Sequence, residues 1–219
     1  MKVEIWADVV CPWCGLGTHR FQEALKRFEH RDDVEIVYRA FQLDPNAPEG
    51  RSMNTHDALV AKGYPVDQIG PMTARIEDMA AAEGLSPYNV SSARTGSTAL
   101  IHELLAFAGE LGKGEEAWHA AYARHWGHNE DIFTLDGVLE LAEEIGLDAD
   151  EAEAVLMDRR YRTLVTNDQI EAQELGASGV PFFVIDRRYG IAGAQGADQI
   201  LDVLDAAWAE SRTVDEEHG

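Results

Sequence analysis

The feature that most constrains the fold of this chain is a pair of cysteines, Cys11 and Cys14, placed where a strand pattern changes into a helix pattern. In residues 3–8, small or branched apolar residues occupy every second position, which is typical of a strand. From Phe21 to Phe28, apolar residues recur three, four and seven positions apart, as on one face of a helix. The chain therefore begins as a strand, a Cys-x-x-Cys motif and a helix, which favours an α/β domain.

The motif Cys11-Pro12-Trp13-Cys14 suits disulfide exchange, which needs an attacking thiolate and a second thiol that resolves the mixed disulfide. Pro12 fits the first helical turn, where its missing N–H has no partner to lose. We expect Cys11 to be exposed and its pKa to be lowered by the helix start and by the N–H groups of Trp13 and Cys14. Cys14 lies one turn deeper, so we expect it to be a buried thiol.

Other interpretations of the cysteine pair are weaker. A zinc site would need two further ligands, but the chain has no other cysteine and His19 would point elsewhere, so no metal is predicted. Haem attachment needs a histidine after the second cysteine, where this chain has Gly15. Two inert buried thiols remain an alternative.

A second informative stretch begins at Val180-Pro181 and continues as the strand pattern of residues 182–185. A proline at the start of a strand can take a cis peptide bond at small cost. The cis form would present the backbone of Val180 to an extended peptide. A trans proline that only starts the strand is the alternative.

The patterns along the chain give the order β-α-β, a long helical block, then β-β-α. The two ends can form one mixed sheet, with the helical block inserted between them. Asp148 is predicted to cap a helix through Glu151, and Gly146 and Gly176 are predicted to end helices. We predict a discontinuous α/β domain, a helical insertion and a flexible polar tail. Their ranges are 1–44 with 168–210, 45–167, and 211–219.

The charge and the cysteine content restrict the partners and the compartment. The formal net charge is −22, from 18 basic and 40 acidic side chains, which disfavours nucleic acid and anionic membranes. The first residues lack the apolar core of a signal peptide, and no run approaches the ~18 apolar residues of a membrane span. Because the only cysteines form one Cys-x-x-Cys motif, we expect a cytoplasmic protein rather than a secreted disulfide scaffold.

Three stretches, "IWADVVCPWCGLG" (5–17), "GVPFFVID" (179–186) and "YGIAGAQ" (189–195), resemble the DsbA family of the thioredoxin superfamily, most closely its cytosolic FrnE-like branch. The resemblance implies a thioredoxin-like α/β fold with a large all-helical insertion. It also implies disulfide oxidoreductase or isomerase activity, with Cys11 as nucleophile and Cys14 as resolving thiol.

The resemblance further implies that Pro181 is a cis proline and that substrate contacts Pro12, Trp13, Val180 and Pro181. Protein or peptide thiols and disulfides are the expected partners. Glutathione is a candidate co-substrate, and no cofactor beyond the redox-active cysteine pair is expected. The chain is expected to act as a monomer or homodimer.

The sequence departs from the family pattern at Ile5, where thioredoxins and periplasmic DsbA proteins carry an acidic residue six positions before the first cysteine. Asp8 could take over proton relay to Cys14, or it could only cap the turn before the helix. The dipeptide between the cysteines also lacks the histidine of strongly oxidising CPHC motifs, so the redox potential stays open.

The alternative function is that of a glutathione-dependent transferase or isomerase acting on small molecules, similar to the kappa-class glutathione transferases. Those enzymes typically carry serine where Cys11 stands, which argues against this alternative. His119, His125 and His128 could contribute to a pocket, but their spacing favours ordinary surface and boundary positions. Gly15 and Gly17 are expected to allow close approach, either of substrate or of the packed sheet.

Overall fold

The computed structural model describes the backbone of residues 1–217 and the side chains of residues 1–211. The strands are β1 Lys2–Ala7, β2 Glu35–Ala40, β3 Ser52–Asn54, β4 Arg94–Gly96, β5 Phe182–Ile185 and β6 Tyr189–Ala192. The helices are α1 Pro12–Arg27, α2 Thr55–Ala61, α3 Val66–Ala82, α4 Ala99–Glu110, α5 Gly114–Tyr122, α6 Leu135–Glu144, α7 Ala149–Met157, α8 Arg162–Glu174 and α9 Ala197–Glu217. A 3₁₀ turn covers Arg31–Asp33, and a π-helical segment, Ala123–Gly127, continues α5.

The main sheet has the strand order β2-β1-β5-β6, so the predicted mixed sheet is confirmed. Strand β1 runs parallel to β2 and antiparallel to β5, with Trp6 opposite Phe182. One face of β1 packs against α1 and α9, where Phe21 and Leu204 share a core with Ile5. The other face packs against α8, and Trp6 donates a hydrogen bond to the carbonyl oxygen of Asp168. Both faces are therefore covered, and the alternation read from the sequence does not mark a solvent face.

The segment predicted as an all-helical insertion, 45–167, contains α2 to α7 and the start of α8. It also contains an antiparallel ladder of β3 and β4, so the expectation of helices alone is wrong in this detail. The predicted boundary after residue 167 falls within α8, because α8 packs on the sheet and Asp168 accepts hydrogen bonds from Ala40 and Arg39.

The insertion and the Cys-x-x-Cys helix share one hydrophobic core. Cys14 and Leu16 of α1 belong to the same buried cluster as Trp118, Tyr122 and Trp126 of the insertion. Aromatic residues of this size dominate the energetics of such contacts, because each buries a large apolar area. The insertion is therefore packed onto the α/β unit at the position of the cysteines.

Several predicted helix ends are confirmed. Gly146 and Gly176 have φ angles of 68° and 91°, the left-handed conformation that glycine adopts at no steric cost. The side chain of Asp148 accepts a hydrogen bond from the N–H of Glu151 at the start of α7.

The predicted tail, residues 211–219, differs from expectation, because α9 continues to Glu217. No proline or glycine interrupts residues 209–217, so nothing local ends the helix there. Residues 218–219 lie outside the described part of the chain. Across the described residues, no helix has both the length and the apolar character of a membrane span.

Candidate active site

Both cysteines lie at the start of α1, where Cys11 is the N-cap residue and Pro12 is the first helical residue. Cys14 is fully buried, as predicted, but Cys11 is only 4% exposed, so the expectation of an exposed thiol is wrong. The N–H of Cys14 donates to the carbonyl oxygen of Cys11 at 2.9 Å, not to its sulfur as expected. Trp13 is the exposed member of the motif, with 40% of its surface accessible.

Cys11 is covered on one side by Val180 and Pro181. Its thiol donates to the Val180 carbonyl oxygen at 3.6 Å, and the Val180–Pro181 peptide bond is cis. This proximity follows from topology, because β5 is antiparallel to β1 and its first residues therefore lie beside the end of β1, just before Cys11. Gly17 completes the contact, since a Cβ atom there would lie 2.7 Å from Cγ of Pro181.

Cys14 lies in a protected environment that disfavours its thiolate. Burial first, then the hydrogen bond and the charge of Cys11, raise the pKa of Cys14 well above its usual value. The backbone N–H of Asp8 lowers this pKa and the Asp8 carboxylate raises it. Cys14 therefore remains a thiol until another group takes its proton.

Asp8 is fully buried beside Cys14, and its two carboxylate oxygens have different partners. One accepts a hydrogen bond from the N–H of Leu43 at 2.8 Å, and the other lies 3.1 Å from Nε2 of His102 on α4. The Asp8 side chain is hydrogen-bonded to the N–H of Leu43 and to His102 of the insertion. The alternative in which Asp8 only caps the turn before α1 is therefore wrong.

Tyr88 of the insertion is a site residue that the sequence patterns missed. Its hydroxyl donates to the Pro12 carbonyl oxygen at 2.6 Å, and Gly15 makes room for it, since a Cβ atom at residue 15 would collide with that hydroxyl. Tyr88 follows a second cis bond, Ser86–Pro87. No periodicity links residue 88 to residue 12, because the contact spans 76 residues. Gly15, against Tyr88, and Gly17, against Pro181, therefore both allow close packing within the protein.

A cavity of about 510 Å³ lies between α1 and the insertion, next to Tyr88 and Gly15. Its polar lining includes His119, His128 and the ion pair of Lys26 with Glu23. The aromatic part of its wall includes Tyr122 and Trp126, whose buried polar atoms have no hydrogen-bond partner among the described residues.

The three histidines of this region have different environments. His125 is 1% exposed and packs edge-on against Trp126 and Phe133, so its expected boundary position is wrong. Burial lowers the pKa of His125 to about 4. His119 and His128 are exposed and lie on the cavity rim, as their spacing suggested.

The chain is similar to known proteins in sequence and in fold. A family model described as DSBA-like thioredoxin domain matches residues 2–205. The crystal structure of the probable DsbA oxidoreductase SCO1869 from Streptomyces coelicolor has 42% identity and a TM-score of 0.91, with 96% of this chain and 91% of that chain covered.

Two more distant structures share the fold alone. The cytosolic disulfide reductase DsbM from Pseudomonas aeruginosa, whose structure with GSH is also known, has 17% identity and a TM-score of 0.67, covering 95% of this chain and 99% of that chain. The 2-hydroxychromene-2-carboxylate isomerase has 15% identity and a TM-score of 0.67, with both chains covered completely. The fold therefore hosts more than one type of chemistry.

Proposed function

The chain belongs to the DSBA-like thioredoxin domain family, and on this premise we propose that it is a thiol–disulfide oxidoreductase or isomerase acting on protein or peptide substrates. Cys11 attacks a substrate disulfide and forms a mixed disulfide. Cys14 then attacks the Cys11 sulfur and releases the substrate thiol. The reverse sequence would oxidise a substrate dithiol.

The observation that carries this proposal is the contact between the Cys11 sulfur and the backbone of Val180 and Pro181. An extended substrate can pair with the Val180 backbone and thereby place its sulfur next to Cys11. Trp13 supplies an exposed apolar surface next to Cys11 in the motif, and the half-buried Pro12 lies between the two in the chain. The likeness to a probable DsbA oxidoreductase at 42% identity supports the same chemistry.

The test is insulin reduction together with mechanism-based trapping in cells. Cys11→Ser should abolish insulin reduction, because it removes the nucleophile, whereas Cys14→Ser should accumulate mixed disulfides with substrate proteins. The Cys11→Ser/Cys14→Ser double variant is the matched control and should trap nothing. Equal recovery of adducts from the double variant and from Cys14→Ser would contradict the proposal.

A second candidate, a glutathione-dependent transferase or isomerase for small molecules, is favoured by the cavity beside α1. The Tyr122 hydroxyl, which has no hydrogen-bond partner among the described residues, and the histidines of the lining would suit a polar small molecule. Conjugation of glutathione with chlorodinitrobenzene by the Cys11→Ser variant would favour this candidate. Insulin reduction by the native protein, lost in that variant, would favour disulfide exchange.

We also propose that the protein works in the cytoplasm with glutathione as a candidate co-substrate. The proposal rests on cysteine usage, because the whole cysteine content of the chain is the Cys11/Cys14 pair. Cell fractionation tests the location of the protein. Alkylation of the free thiols in each fraction shows whether Cys11 and Cys14 are reduced there. Recovery of the protein in a wholly oxidised, exported fraction would contradict it.

A further inference from the structure

A buried pair of ionisable side chains joins the insertion to the start of α1. His102 of α4 lies with its Nε2 atom 3.1 Å from Oδ1 of Asp8, and both side chains are almost completely inaccessible. The second Asp8 oxygen is held by the N–H of Leu43. The other ring nitrogen of His102, Nδ1, has no hydrogen-bond partner among the described residues. A buried Asp–His pair with one unused nitrogen has spare capacity for a proton.

This pair lies directly beside the resolving cysteine. The Asp8 carbonyl oxygen accepts a hydrogen bond from the N–H of Cys11 at 3.1 Å, so Asp8 is fixed at the start of the Cys-x-x-Cys motif. The backbone of Asp8 lowers the pKa of Cys14, and the charge of the Asp8 carboxylate raises it. Cys14 itself is fully buried, so bulk water cannot take its proton directly. A group that removes this proton must therefore be part of the protein.

Charge conservation identifies which group suits this task. A Cys14 thiolate formed beside an unchanged Asp8 carboxylate would place two negative charges together in a fully buried region, which is strongly unfavourable. If the proton moves from Cys14 to the Asp8–His102 pair, the total charge of the three groups stays constant. Transfer to Asp8 alone would already conserve charge. His102 adds a second place for the proton, because it is hydrogen-bonded to the Asp8 carboxylate and its other ring nitrogen has no partner among the described residues.

We propose that His102 is a positioning residue for the resolving step: it holds Asp8 against Cys14 and shares the proton that the pair exchanges with the Cys14 thiol. The proposal rests on the disulfide exchange proposed above. It assigns the inserted helical segment a part in the chemistry, since His102 comes from that segment and Asp8 from the α/β unit.

The step balances in both directions. In reduction of a substrate, the Cys14 sulfur attacks the Cys11 sulfur of the mixed disulfide, and a Cys11–Cys14 bond forms. The bond between Cys11 and the substrate sulfur breaks, the substrate leaves as a thiolate, and the Cys14 proton passes to Asp8–His102. In oxidation of a substrate thiolate, Cys14 leaves as a thiolate and takes a proton from the pair.

Other ionisable groups also face this site. Burial raises the pKa values of Tyr88 and Tyr122, and the charges of Cys11 and Cys14 raise them further, so both phenols stay protonated near the sulfurs. His125 of the π-helical segment feels the charge of Asp8 but is not hydrogen-bonded to it among the described contacts. Among these neighbours, His102 is the residue that is hydrogen-bonded to the Asp8 side chain and able to take up a proton.

The experiment uses dithiobis(nitrobenzoate) as the disulfide, so it reports the cysteine chemistry whatever the natural substrate is. Attack by Cys11 releases one nitrothiobenzoate, and resolution by Cys14 releases the second. A stopped-flow absorbance trace therefore shows the two steps as two separate phases. His102→Gln keeps a donor for Asp8 but cannot take up a proton. We expect its second phase to slow by about tenfold or more, with the first phase changed by less than about threefold. The second phase of this variant should also reach half of its maximal rate at a higher pH than in the native protein, because Cys14 must then lose its proton without the histidine.

The matched control is His125→Gln, a second buried histidine of the insertion, and both of its phases should stay within about twofold of the native rates. Asp8→Asn should slow the second phase as His102→Gln does, and the double variant should add little, because the two residues act as a unit. A second phase in His102→Gln with native rate and native pH profile would overturn the proposal. An equal loss in both phases would also overturn it, because that would indicate a purely structural role.

If His102→Gln does not fold, nuclear magnetic resonance of the native protein decides the question. The titration of the His102 ring should differ between the dithiol form and the Cys11–Cys14 disulfide form, since only the dithiol form exchanges a proton with the pair. Identical titrations in the two forms would refute the inference. Failure of insulin reduction with a normal second phase would instead argue against the proposed substrate class alone.

Discussion

Gly17→Ala tests whether the contact between α1 and Pro181 sets the active-site geometry. A Cβ atom at residue 17 would lie 2.7 Å from Cγ of Pro181 and 3.3 Å from Cβ of Ala194. Carbon atoms in van der Waals contact are about 3.5–4.0 Å apart, so the prolyl ring or the helix must move by roughly 1 Å. The ring cannot rotate away, and Val180 would therefore move relative to Cys11.

The free-energy change of this variant has two opposing parts. Overpacking of a filled site costs about 1–3 kcal/mol, whereas alanine stabilises a helix interior over glycine by about 1 kcal/mol. The net expectation is a loss of up to about 2 kcal/mol in the free energy of unfolding. Displacement of reacting groups by about 1 Å can lower turnover by about a hundredfold, so we expect insulin reduction to fall at least tenfold.

Gly109→Ala is the matched control, because residue 109 also lies in a helix and a Cβ atom there would meet nothing within 4 Å. It should gain about 0.5–1 kcal/mol in urea unfolding and keep full activity. Urea unfolding and insulin reduction of both variants measure the two effects. If Gly17→Ala gained as much stability as Gly109→Ala and stayed fully active, the reasoning from the Pro181 contact would be refuted.

Three further predictions concern hydrogen bonds, a buried histidine and ion pairs of the fold. Tyr88→Phe removes the hydrogen bond to the Pro12 carbonyl and should cost about 0.5–1.5 kcal/mol in urea unfolding; an unchanged midpoint would contradict a role for this bond. Burial lowers the pKa of His125 from 6.5 to about 4, so the unfolded state binds more protons between these values. Stability should therefore fall as the pH decreases from 6.5 to 4, by up to about 3 kcal/mol from this residue, and His125→Phe should flatten that dependence. Arg39→Met leaves buried Glu4 with Arg187 alone and should cost about 3 kcal/mol, whereas Arg188→Met, at an exposed pair with Glu210, should cost less than about 1 kcal/mol. Equal losses in these two arginine variants would argue against the buried network.

The pKa of Glu4 shows why such networks escape sequence patterns. Burial raises this pKa, but hydrogen bonds and charges from Arg187 and Arg39 outweigh burial and lower it. The sequence places Glu4 between the apolar residues Val3 and Ile5 of β1, an alternation that is also typical of a strand with one face in solvent. In the structure, α8 and the β5–β6 turn cover that face, so Glu4 is buried with two arginine partners.

Local rules determined the features that depend on neighbours in the chain. Alternation and helical spacing located β1 and α1 around the Cys-x-x-Cys motif, and they gave the order of elements that forms the mixed sheet. The glycines at 146 and 176 ended helices because left-handed backbone conformations are a property of the residue itself. These features need no knowledge of distant contacts.

Tertiary structure alone decided how the site is enclosed. Cys11 is buried because the chain near Val180 returns beside it, and the Cys11 and Val180 positions are 169 residues apart. Tyr88 and His102 reach the site across 76 and 94 residues of chain, and no spacing rule connects them to Pro12 or Asp8. Exposure, proton exchange and cavity shape depend on which surfaces pack together, and that is fixed by the fold of the whole chain rather than by any local pattern.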